Sequence, residues 1–280
     1  MKNIENCKKE ILQNFAKKYE DKNVDKLKDY DLLLLDRTAE WWAYMLAFIP
    51  DGFEKYSIFD FTGCAVNKKD NSKKLTIPKQ VAALAKDKIC RFCWGMSWKS
   101  IYKRKMTDPS SINVFLQNKS IMLDRMEYGN NIIIHGQSDQ PIGRTMLASI
   151  AMKEAMRLRV TKFTRTHSYD WVDYSKLFQA IEQDTGDHAL YKSCTWLVVD
   201  NIIKKPRSDR QTTLMSDLID PFFTDRFRNK QPTILVFKFD IRDKMFNLEK
   251  YFGSGIVSMI DSKRTFKIPL SENLLSDYNE

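Results

Sequence analysis

"NNIIIHGQSDQPIGRT", residues 130–145, decides how the rest of the chain is read. Its Ile132, Ile133 and Ile134 are apolar on both faces of any strand they form, as a strand buried inside a parallel sheet requires. A glycine follows, and Gly-Arg-Thr then opens a stretch rich in helix formers. Strand, glycine turn and helix in that order are the layout of a phosphate-binding loop, whose backbone amides wrap phosphates at the positive end of the helix. The spelling departs from the Walker A form, in which four residues separate the glycines and a lysine follows. Here six residues lie between Gly136 and Gly143, and the lysine position holds Arg144. Asp139 would place negative charge beside a triphosphate, and Pro141 removes an amide donor. The planar fork of Arg144 is no substitute for a compact ammonium between two phosphates. Thr145 keeps the hydroxyl that would hold Mg²⁺.

Outward from that loop, helices and strands alternate. "SINVFLQNKSIMLDRM" (111–126) reads as an amphipathic helix before the loop strand, and residues 143–159 as the helix after it. Beyond them we expect a strand at "VTKFTRT" (160–166), a helix at "YDWVDYSKLFQAI" (169–181) and a buried strand at "TWLVVDN" (195–201). A helix at 212–229, interrupted at Pro221, precedes a strand at "PTILVFKFD" (232–240). The expected fold is therefore α/β: a P-loop AAA+-like parallel sheet with helices on both faces, preceded by a mostly helical N-terminal region. The boundary falls at "TDPSS", giving an N-terminal helical and basic region over 1–108 and a P-loop domain over 109–280.

The second chemical element is "WLVVDNI", an apolar strand ending in Asp200. In a Walker B element such an aspartate supports the metal and the next acidic residue orients the attacking water. Asn201 stands in that next place. An amide can position water but cannot accept its proton, which predicts slow hydrolysis.

With these pieces in order the chain resembles the DnaC/IstB family of AAA+ ATPases, helicase loaders and transposition helpers, over about residues 49–270. "IPDGFEKYSIFDF" is similar to the family's segment before the ATPase core, and 126–157 to its strand and Walker A helix. "WLVVDNI" takes the Walker B place, and "LIDPFFTDRFRNKQPTILVFKFD" resembles the helix, basic corner and strand that carry sensor 1. "LEKYFGSGIVSMIDSKRTFKIPL" resembles the small terminal helix that bears the arginine finger. The resemblance implies a nucleotide site of Gly136, Gly143, Arg144, Thr145, Asp200, Asn201 and Lys238, with Thr145 and Asp200 as Mg²⁺ ligands and ATP as the nucleotide. It also puts the sensor position at Lys238 and the finger positions at Gly255 and Met259, where the family's polar residue and arginines are missing. Loss of a finger alone can slow hydrolysis about 10³- to 10⁵-fold, so weak or absent turnover is expected.

The remaining features concern partners. Forty-six Lys and Arg against 36 Asp and Glu leave a net charge of +10, which suits a polyanion. "CRFCWGMSWKSIYKRK" (90–105) sets Trp94, Trp98 and Tyr102 at a spacing of four among Arg91, Lys99, Lys103, Arg104 and Lys105, as single-stranded nucleic acid would require. An amphipathic helix that buries those aromatics is the competing reading. Cys90 and Cys93 have zinc-ligand spacing, but a structural zinc needs four ligands and only Cys64 is near in sequence, so small buried thiols are favoured over Zn²⁺. Helical patterns within residues 1–48, including Ile11, Phe15 and Tyr19, are the segments that would engage a partner by resemblance to loaders. Residues 63–76, polar and basic, read as a loop. No apolar run reaches membrane-spanning length, no signal sequence is evident, and five scattered cysteines do not form a disulfide framework. A cytoplasmic protein without membrane association is expected. The leading expectation is a replication accessory of helicase-loader type acting on a replicative helicase or other ring ATPase and on single-stranded DNA, with oligomerisation left open. An ATP-independent adaptor subunit and a noncanonical ATPase rebuilt from Arg144, Asp200 and Lys238 are the alternatives.

Overall fold

The computed structural model describes residues 43, 47–50, 53, 64–66, 74–76, 79–94, 131–137, 143–161, 168–204, 209–243 and 246–270. Their elements in chain order are β1 (Cys64–Val66), β2 (Lys74–Thr76), α1 (Lys79–Trp94), β3 (Asn131–His135), α2 (Arg144–Thr161), β4 (Tyr169–Asp173), α3 (Tyr174–Glu182), α4 (Gly186–Ser193), β5 (Trp196–Ile202), α5 (Asp209–Arg228), β6 (Thr233–Phe237), α6 (Leu248–Asp261) and β7 (Thr265–Pro269).

Apolar runs set the sheet. Ile132–Ile134 of β3 stand in register with Ile234–Val236 of β6, and all of these side chains are buried. The sheet has the order β4-β5-β6-β3-β7, and each neighbouring pair is parallel. One face gathers Ile133, Leu197, Val199 and Leu235 into a cluster with Leu177 of α3, Ile219, Phe222 and Phe223 of α5, and Phe252 of α6. Strand alternation turns Ile132, Ile134, Val198 and Ile234 to the other face, where α2 packs on β3, β5 and β6, and α1 packs on α2, β3 and β7. The expected parallel sheet with helices on both faces is what the chain forms.

Five local expectations are corrected. "YDWVD" is strand and not the start of a helix: Asp173 accepts a hydrogen bond from the Ser175 amide at 2.9 Å and so caps α3, which begins one residue later. Val160 and Thr161, expected to open a strand, close α2 instead, and residues 162–167 lie outside the described set. α5 passes through Pro221 without interruption. Pro221 is exposed, and so is Asp217, whose carbonyl is the one that loses its helical donor, so that acceptor is on the solvent side of the helix. Residues 265–269, read as part of a terminal helix segment, form β7, which extends the sheet beyond β3. Pro269 is tolerated there because β7 is an edge strand. Within 63–76, two short segments pair as an antiparallel β1–β2 ladder rather than lying in loop throughout.

α5 and α6 meet more closely than side chains of ordinary size permit. Gly255 donates its amide to Asp220 Oδ1 at 2.5 Å, and a Cβ on it would come within 2.5 Å of Thr224 Oγ1. At Gly253, φ is +80°, a left-handed conformation that lets α6 bend around Asp220.

Candidate functional site at the carboxyl end of the sheet

In an open parallel sheet the strands' carboxyl ends point to one edge, and ligands bind outside that edge. His135 and Gly136 lie at this end of β3, Asp173 ends β4, Asp200 and Asn201 lie near the end of β5, Lys238 follows β6, and Arg144 and Thr145 begin α2. The sequence-assigned residues Gly136, Gly143, Arg144, Thr145, Asp200, Asn201 and Lys238 thus converge from separate parts of the chain. Asp139 and Pro141 lie outside the described residues.

Thr145 Oγ1 donates to Asp200 Oδ2 at 3.0 Å. This contact spans the sheet over β6, which lies between β3 and β5. Adjacent ligands of an octahedral Mg²⁺, each about 2.1 Å from the ion, stand about 3.0 Å apart. The hydroxyl and carboxylate therefore fit two neighbouring corners of such a shell. Burial pushes the Asp200 carboxyl up, while the Asn201 amide, the Thr145 hydroxyl and the Lys238 charge draw it down; burial prevails.

Arg144 does not extend toward an open loop. It is 9% exposed, and one terminal guanidinium nitrogen donates to the carbonyl of Gly136. Burial lowers its pKa, opposed by the Asp200 charge. The positive charge expected to meet phosphate is therefore turned inward, against the turn that a nucleotide would have to approach.

Asn201 sits at φ +58°, a left-handed conformation that asparagine adopts more readily than most residues. Its amide proton goes to Asp200 Oδ1 at 2.7 Å, and its side-chain Nδ2 donates to Asp173 Oδ2 at 2.6 Å. Asp173, absent from the sequence-derived site, stands in register with Asp200. Burial pushes its carboxyl up, but hydrogen bonds from Ser175 and Asn201 and the Lys238 charge outweigh that effect and hold it below the ordinary range. The signal in the sequence is the Asp-Tyr-Ser step that begins α3, which marks a helix cap but not its strand partner.

His135, 1% exposed, has its Nδ1 3.2 Å from Asp240 Oδ1 but out of hydrogen-bond alignment. Burial lowers its pKa to about 4, with Asp240 opposing and Arg242 and Lys267 reinforcing the shift. The unfolded chain takes up a proton near pH 6.5 and the folded chain does not until about pH 4. Stability should consequently fall as pH drops from about 6.5 to 4, by roughly 2–3 kcal/mol across the window. Denaturant unfolding at pH 7 and pH 5 measures this slope, and His135→Gln should remove most of it; an unchanged slope in the variant assigns the effect elsewhere.

Both finger positions face inward. Gly255 is buried against α5 and Met259 is fully buried, so neither could present an arginine to a neighbouring molecule in this packing. Arg91 is exposed on α1 and pairs with Asp87 at 2.8 Å, an exposed contact worth only a few tenths of a kcal/mol. Cys90 and Cys93 fall within the same helix, α1. Trp98, Lys99, Lys103, Arg104 and Lys105, and the partner-engaging segments within 1–48 apart from residues 43, 47 and 48, also lie outside the described residues. No described helix is long and apolar enough to cross a membrane.

No protein-family model matches the chain, and no curated protein matches it. Among solved structures it is similar to DnaI, at 15% identity and a TM-score of 0.43, over 80% of this chain and 91% of that one. It is similar to the DnaC helicase loader at 21% identity and a TM-score of 0.39, over 57% and 85% of the two chains. A putative primosome component from Streptococcus pyogenes serotype M3 is similar at 12% identity and a TM-score of 0.42, over 79% and 90%.

Proposed function

We propose that this chain is a replication accessory protein of helicase-loader type whose nucleotide site persists as architecture, with weak or absent ATP hydrolysis. The observation that carries the reading is the inward Arg144, which gives its hydrogen bond to Gly136 while Thr145 Oγ1 and Asp200 Oδ2 stand 3.0 Å apart, a spacing that suits two neighbouring Mg²⁺ ligands. A triphosphate entering the loop must first displace a buried, hydrogen-bonded cation, and that displacement subtracts from binding. Support for the loader class comes from the DnaC/IstB-like order of motifs in the sequence. The +10 charge supports single-stranded DNA as a polyanionic partner, and a ring helicase is the protein partner the same resemblance implies.

Calorimetric titration with ATP, with and without Mg²⁺, tests the nucleotide half. Arg144→Lys should bind Mg-ATP about tenfold more tightly than the wild type, because the shorter point charge releases Gly136 and reaches phosphate alone. If neither protein binds nucleotide, the adaptor reading replaces this one. Brisk steady-state phosphate release by the wild type would overturn it. Copurification from cells followed by identification of the bound proteins tests the other half: a ring helicase is expected, and its absence under conditions that recover other partners counts against the loader class.

A further inference from the structure

The geometry points to an exchange of acid and amide between two strands: we propose that Asp173 supplies the water-orienting carboxylate that position 201 lacks. This inference rests on the reading above, that the carboxyl end of the sheet receives a magnesium nucleoside triphosphate. Three observations bring Asp173 to that role. It is the in-register neighbour of Asp200, so its carboxyl stands beside the metal-supporting acid. It is joined to the side chain of Asn201 by a hydrogen bond of 2.6 Å, so acid and amide occupy the two ends of one contact. Finally, its orientation is set: Oδ1 accepts from the Ser175 amide at 2.9 Å and the Ser175 hydroxyl at 2.6 Å, which leaves Oδ2 to Asn201.

A carboxylate oxygen has two lone pairs. After accepting from Asn201, Oδ2 keeps one for a water. In hydrolysis, the water oxygen forms a bond to the γ-phosphorus while the bond from that phosphorus to the β–γ bridging oxygen breaks. The electron pair leaves with the nucleoside diphosphate, and the water proton passes to Asp173 Oδ2 and on to solvent. Asn201 holds the acceptor in place, which is work an amide can do. Arg144 and the buried finger positions keep the reaction slow, so Asp173 accounts for residual turnover rather than rapid turnover.

The test compares Asp173→Asn, Asn201→Asp and the double exchange. In thermal unfolding of the protein alone at pH 7, Asn201→Asp sets two carboxylates across the 2.6 Å contact and should lower the melting temperature by several degrees. The double exchange should recover most of that loss. Asp173→Asn should change little, since asparagine caps a helix as well as aspartate. In single-turnover phosphate release with protein in excess over Mg-ATP, Asp173→Asn should slow the step at least tenfold while nucleotide affinity stays within twofold, and the double exchange should restore it. The inference is overturned if the double exchange fails to recover the melting temperature, if Asp173→Asn releases phosphate at the wild-type rate, or if the wild type releases none above buffer. That last result leaves the proposed function standing. Rapid wild-type release that depends on Asp173 does the opposite, supporting the exchange while overturning the account of a silent site.

Discussion

Arg226→Met is expected to destabilise the folded chain by about 3–5 kcal/mol, the upper range for a single substitution, because it removes one buried donor group from several acceptors at once. Arg226 is fully buried in the last turn of α5, at the end of the sheet opposite the candidate site. Its Nε donates to Thr233 Oγ1 at 3.0 Å, and its terminal nitrogens to the carbonyls of Tyr191 and Cys194 at 2.9 Å each and of Pro232 at 3.1 Å. One planar group thereby ties the end of α5 to the α4–β5 corner and to the start of β6. Burial lowers its pKa, with the nearby Cys194 opposing, and the carbonyl oxygens take the place of water around the charge. Methionine fills the volume but takes the charged donor from all of them at once: the Pro232 carbonyl keeps only the Leu197 amide at 3.2 Å, the Tyr191 carbonyl the Cys194 thiol at 3.3 Å and the Cys194 carbonyl the Gln231 side chain at 3.5 Å, and a buried acceptor left short of a donor costs about 1–3 kcal/mol. Arg226→Lys should lose nearly as much, because an ammonium cannot span acceptors set out for a fork. Urea unfolding reads the effect as a lower midpoint at constant m-value. A loss below about 1 kcal/mol for both variants would mean that water or relaxed backbone replaces the guanidinium and that this network is not what joins the two corners.

Gly136→Ala should come close to abolishing folding. A Cβ at this position would lie 1.2 Å from the carbonyl oxygen of Leu270, and the backbone holds φ at +152°. The clash is with main chain that is itself fixed, since Leu270 donates its amide to the His135 carbonyl at 2.6 Å and Gly136 donates its own to Phe239 at 3.0 Å. Relief requires the ends of β3, β6 and β7 to move apart, and we expect more than about 4 kcal/mol, in the range reserved for strain at a fixed backbone position. Gly143→Ala is the control. At φ +80° it should cost only about 1 kcal/mol, the usual penalty for a side chain in the left-handed region. Soluble yield and circular dichroism at 25 °C distinguish the two; a well-folded Gly136→Ala protein would show that the closeness to Leu270 is not maintained in solution.

These two residues also mark what could be read from the sequence. In the sequence Gly136 reads as the glycine of a phosphate-binding turn; in the fold it is a place where backbone approaches closely, and the approaching atom is the Leu270 carbonyl. Arg226 reads as part of a basic corner, because nothing in a linear pattern says that one arginine of "DRFR" points into the protein while the other, Arg228, stays exposed. The three buried central strands were legible as continuous apolar runs. β4 was not, since Trp171, Val172 and Tyr174 also suit a helix face, and only the cap at Asp173 separates strand from helix. β7 was not, since "TFKIP" is short, ends in proline and buries only Ile268 of its five residues. Within the site, Thr145 and Asp200 followed from motif order, whereas Asp173 becomes their neighbour only through parallel pairing of β4 with β5. The sign of the charge at Arg144 was readable, and its direction was not.

The order of the strands has a consequence for how the chain is made. β3 lies between β6 and β7, and both of its neighbours follow it by roughly a hundred residues or more, from Thr233 and Thr265 onward. On the ribosome, Ile132, Ile133 and Ile134 therefore emerge long before either partner exists, and pairing so distant in sequence is slow once it can begin. At ordinary elongation rates that interval lasts on the order of ten seconds. During it a run of three isoleucines has two unsatisfied edges, and its protection falls to whatever α2 and nascent-chain chaperones can cover.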